Sequence, residues 1–109
     1  MTFDPAFDNT RLQQLSQQVL SGTDVTGRLL FFAEHEAEGI SRATWQFEDE
    51  DHETLQENSF KFMLMELLDT LIQYRHQHDR EPLCGVVAFE HSTPSIQWLT
   101  AEEVEALLN

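Results

Sequence analysis

The chain has 109 residues, of which 20 are acidic and 6 basic, for a formal net charge of -14. That length holds one domain, and a chain of this size buries roughly two-thirds of the surface its unfolded form exposes. The acidity disfavours nucleic acid and anionic membrane surfaces and favours basic partners through long-range steering; eight Phe and two Trp set the chain apart from a disordered acidic tail.

A single Cys84 excludes an intramolecular disulfide framework, which fits a reducing compartment. The N-terminus lacks a basic stretch followed by an apolar one, and no apolar run reaches the ~18 residues of a membrane span. The expected location is cytoplasmic.

Asp4-Pro5 predicts a helix start, Leu12, Leu15 and Val19 supply its apolar stripe, and Ser21-Gly22 ends it. From Gly27, GRLLFFAE predicts a strand. A polar connection ending in Gly39 leads to ISRATWQFED, where Ser41, Ala43, Trp45 and Phe47 alternate with Arg42, Thr44, Gln46 and Glu48. The two segments predict an antiparallel hairpin. The run from Glu48 to Glu53 is expected to be a solvated loop, followed by a long helix over roughly Thr54 to His78.

That helix is apolar on more than half its circumference, with Phe60, Met63, Leu64, Leu67, Leu71 and Tyr74 as the main stripe. Phe62, Met65, Leu68 and Ile72 widen it. Either the first helix covers the second side, or a partner or second copy does. LCGVVAFE predicts a buried strand, HSTP a turn and SIQWL a short final strand. Thr100 and Glu103 form a capping box for AEEVEALL. The expected fold class is α+β, an antiparallel sheet of about four strands with helices mainly on one face, in the order α-β-β-α-β-β-α.

Little in this pattern suggests catalysis. His35-Glu36 lacks the second histidine of a zinc-protease helix, and His76 and His78 point apart on a helix. Asp49, Asp51, Glu53 and Glu57 lack the third Asp and the glycine of a D-x-D-x-D-G calcium loop. Cys84 lies in an apolar strand, and neither a nucleophile elbow nor a glycine-rich phosphate loop is present. The expectation is a binding protein without enzymatic activity, cofactor or metal.

The helix–hairpin–long helix–strands order, with RLLFFAEHEAEGISRATWQFED, FKFMLMELLDTLIQYR, Glu81-Pro82, LCGVVAFE and SIQWL, resembles the YezG-like (DUF600) family of toxin immunity proteins. Leu83 stands where that family usually has an aromatic. The resemblance implies a protein that neutralises a cognate basic toxin, often a nuclease, by covering its active or substrate-binding site.

The acidic contact is expected at Glu48, Asp49, Asp51, Glu53 and Glu57, with Glu36 and Glu38 beside them. Phe62, Met65 and Trp45 are the apolar candidates for partner binding or for a homodimer through the long helix. Alternatives are an effector chaperone like those of type III secretion, binding through apolar patches, and an anti-CRISPR or DNA-mimic inhibitor.

Overall fold

The computed structural model describes residue 4 and residues 6–33, 40–80 and 82–108. Helix α1 spans Phe7–Val19, strand β1 Gly27–Ala33 and strand β2 Ile40–Phe47. Helices α2 (Asp49–Glu57) and α3 (Phe60–Gln77) follow, then β3 (Cys84–Glu90), β4 (Thr93–Leu99) and α4 (Ala101–Leu108). The strands form one antiparallel sheet in the order β2-β1-β3-β4. The α+β architecture is therefore as the sequence predicts.

The helical stretch between β2 and β3 starts earlier than expected and is broken once. Asp49 to Glu53, expected as a loop, form the first turns of α2. Three carboxylates, Asp49, Glu50 and Asp51, stand in its first turn, where they complement the positive end of the helix dipole. At Ser59 the backbone turns left-handed (φ 61°), and Asn58 Oδ1 accepts the N–H of Phe60 to start α3.

The sheet divides two cores. On one face Leu29, Phe31, Val87 and Phe89 meet Leu12, Leu55, Phe60, Leu64, Leu68 and Leu71 from α1, α2 and α3. α1 lies beside α3. On the other face α4 alone packs among the described residues, placing Val104 over Leu30, Phe32, Cys84 and Val86. The capping box of α4 is formed: Glu103 N–H donates to Thr100 Oγ1 at 3.2 Å, and Thr100 N–H to Glu103 Oε1 at 3.1 Å.

β3 and β4 are joined by a two-residue turn, His91-Ser92, with positive φ at both residues (51° and 64°) and no glycine. Such turns match the twist of a hairpin but strain ordinary side chains. Here Ser92 holds the turn to the chain before β1. Its Oγ accepts the N–H of Val25 at 2.9 Å and donates to the carbonyl of Thr23 at 3.0 Å, while its backbone N–H reaches the Val25 carbonyl at 2.8 Å. Ser16 Oγ of α1 donates to the Ser92 carbonyl. The segment HSTP is thus half turn and half strand. Pro94 belongs to β4, an edge position where a missing N–H is tolerated.

Candidate functional site

α2 carries the expected acidic contact and sorts its members. Asp49, Glu53 and Glu57 recur every four residues, so they share one exposed stripe. Glu48, which precedes the helix in extended conformation, is exposed as well. Asp51 is turned inward, half-buried, with Oδ2 accepting the N–H of Thr26 at 3.3 Å. It ties α2 to the start of β1. Leu55, fully buried on the opposite side, fixes which way the stripe faces. Glu36 and Glu38 lie outside the described residues.

Like charges four residues apart destabilise a helix by roughly 0.2–0.5 kcal/mol per pair. Among the described residues, none of Glu48, Asp49, Glu53 and Glu57 forms an ion pair. The cations are occupied elsewhere. Arg28 donates to Gln46 Oε1 at 2.6 Å and to the Leu107 carbonyl at 3.0 Å. Arg42 sits 4.0 Å over the Phe32 ring and meets Glu105 at 3.1 Å. Arg75 lies 4.4 Å over Trp98. None of these arginines forms an ion pair with Glu48, Asp49, Glu53 or Glu57, and the one lysine, Lys61, bonds His52 of α2 instead.

The aromatic candidates separate in the same way. Trp45 and Phe47 are half-buried core residues facing the helices, their rings 6.1 Å apart, with Phe47 also 5.8 Å from Phe89. Lys61 Nζ lies 5.1 Å over the Trp45 ring and donates to His52 Nδ1 at 2.9 Å. Since an ammonium can only donate, the imidazole accepts at Nδ1 and carries its proton on Nε2. Trp45 is therefore packed beneath a polar lid and is not an open anchor. Met65 is half-buried against the same core. Phe62 differs from both: 68% exposed, it is the exposed large apolar side chain among the described residues.

One feature of this side escapes sequence inspection because it lies between two helices. A groove of about 460 Å³ runs between α1 and α3, with Leu15, Met63 and Leu67 as its apolar lining and Arg11, Gln14 and Glu66 among its polar residues. Among the described residues, no group of three or more His, Cys, Asp or Glu is placed to hold a metal ion. No helix among them is long and apolar enough to cross a membrane. Cys84 is buried, its thiol 3.5 Å from the Ala33 carbonyl. No family model matches the chain, and no characterised protein or solved structure matches it significantly.

Proposed function

We propose that this chain is a cytoplasmic, non-enzymatic binding protein that neutralises a basic protein partner, in the manner of an immunity protein covering the active or substrate-binding site of a toxin such as a nuclease. The observation that carries this reading is the exposed Asp49–Glu53–Glu57 stripe, with Glu48 beside it, left unpaired while the cations serve internal contacts. Carboxylates so placed pair with the Lys and Arg that grip phosphate in a nuclease, and the partner loses its substrate. Steering by the net charge speeds association, and apolar contacts at the centre slow release.

The test is capture of partners from lysate by the tagged chain, washed at low and then high salt, alongside the E53Q/E57Q double variant. A single basic protein retained at low salt, weakened at high salt and weakened again by the double variant supports the reading. Removing like-charge repulsion leaves the stability of the variant unchanged or raises it by a few tenths of a kcal/mol, so lost binding is not lost folding.

The exposure of Phe62 favours a second reading, a chaperone or dimer that uses the outer face of α3. In that case retention is equal at high salt, and Phe62→Ser abolishes it while E53Q/E57Q does not. The double variant binding the basic partner as well as the native chain would sink the first reading.

A further inference from the structure

The two edges of the sheet are finished differently. The turn His91-Ser92 fixes which backbone groups point where: Glu90 and Thr93 flank it as a bonded pair, and bonding alternates from there along each ladder. Carried across the sheet through the observed registers, the alternation turns the N–H and C=O of Pro94, Ile96 and Trp98 outward on β4. On β2 it turns those of Ala43, Trp45 and Phe47 outward.

The β4 edge is blocked over its first half. Pro94 has no N–H to offer, and the Ile96 N–H donates to Asn9 Oδ1 of α1 at 3.2 Å, which also confirms the alternation. The β2 edge is open. Asp69 Oδ1 accepts the N–H of Ile40 at its first residue, at 3.3 Å. Beyond that, Ala43, Trp45 and Phe47 have no hydrogen-bond partner on this side among the described residues. Unpaired edges of this kind template strand addition.

The geometry points to this edge as the docking line for an extended, basic segment of the partner protein, added antiparallel or parallel to β2 as a fifth strand. The inference rests on the reading of a basic partner given above. Charge selects the occupant. Asp69 stands at the Ile40 end of the edge, and Glu48, Asp49 and Glu50 at the Phe47 end. The two nearby cations are engaged, Arg42 by Glu105 and Lys61 by His52 and the Trp45 ring. A second copy would bring the same carboxylates and another formal charge of -14 to the line. A basic segment pairs with carboxylates at both ends while its backbone satisfies Ala43 and Trp45.

Ala43 offers a direct test, because its N–H points outward and its side chain is a single methyl. Ala43→Pro removes the donor and leaves the pairing with β1 intact, whereas Ala43→Val keeps the donor. The probe is a capped heptapeptide of alternating arginine and threonine, compared with the same peptide N-methylated along one edge. Both are titrated into the full chain while amide exchange is followed by NMR.

The expected result is slowed exchange at Ala43 and Trp45, with binding weakened at least tenfold by N-methylation or by Ala43→Pro and unchanged by Ala43→Val. If Ala43→Pro unfolds the chain by circular dichroism, the methylated peptide carries the comparison alone. Equal binding of both peptides overturns the edge proposal and leaves the basic-partner reading standing. Failure of the unmethylated peptide to slow Ala43 and Trp45 overturns it too, the lysate capture then judging the basic-partner reading separately. Slowing that appears without peptide and grows with chain concentration assigns the edge to a second copy, and also overturns it.

Discussion

Asp8 accepts the indole N–H of Trp98 at 2.7 Å, so a carboxylate in the first turn of α1 holds a side chain of the edge strand β4. Its neighbour Asn9 takes the backbone N–H of Ile96. Two consecutive polar residues thus fasten helix to strand, and the rest of the α1 register follows from them.

Asp8→Ala is expected to destabilise the fold by about 1–2 kcal/mol, the range of a partly exposed hydrogen bond to a charged acceptor. Asp8→Asn, which keeps an acceptor, costs less. Burial pushes the Arg75 guanidinium, stacked over Trp98, below its ordinary range, Asp8 opposes that shift, and Arg80 reinforces it. Loss of the Asp8 charge therefore lowers Arg75 further. Urea denaturation of both variants, with Trp98→Phe to complete a double-mutant cycle, checks the coupling; additive effects would mean that the bond contributes nothing.

Gly85 sits in the middle of β3 between two paired strands. A Cβ there would collide with the Gln97 carbonyl oxygen and approach Phe31 Cζ and Trp98 Cα to 3.2 Å each. The first obstacle is backbone and cannot swing aside. Gly85→Ala is expected to cost about 3 kcal/mol, at the upper end of ordinary overpacking. Thermal unfolding measures it, and a shift of only a degree or two would show that β4 moves away more easily than its pairing suggests.

α4 is the sole helix on its face among the described residues, and Val104 is its buried anchor, fully covered against Cys84 and Val86. Val104→Ala is expected to cost about 1–2 kcal/mol and to loosen α4 from the sheet. Cys84 reports the loosening directly. Its thiol, shielded in the native chain, should react with a disulfide reagent markedly faster in the variant. Equal labelling rates would show that α4 does not guard it.

The sequence announces what periodicity and capping can announce. The Gly27–Ala33 and Ile40–Phe47 strands, the alternation of Ala43, Trp45 and Phe47 with Thr44 and Gln46, and the Thr100–Glu103 box are all found where expected. Other features have no local signal. Asp49 to Glu53 lack apolar spacing, so only the dipole argument favours a helix there, and it is equally met by a solvated loop. Ser59 takes a left-handed backbone that would ordinarily be sought at Gly or Asn. Pro94 suggests a turn until β4 is known to be an edge. The site divides along the same line: charge in α2 is legible, while the inward turn of Asp51, the covering of Trp45 and the open edge of β2 depend on neighbours far along the chain.

The clasp on Ser92 has a bearing on the order in which the chain acquires its structure. A hairpin with an Asn-Gly turn closes by itself in microseconds, because its turn residues already favour the required backbone. His91-Ser92 do not, and the bonds that hold them reach back to Ser16, Thr23 and Val25, more than 65 positions earlier. The local contact between β3 and β4 therefore inherits the loop-closure entropy of a distant one. β3 and β4 are expected to zip late, after the α1–β1 segment has come into place, so that the hairpin locks assembled structure and does not seed it.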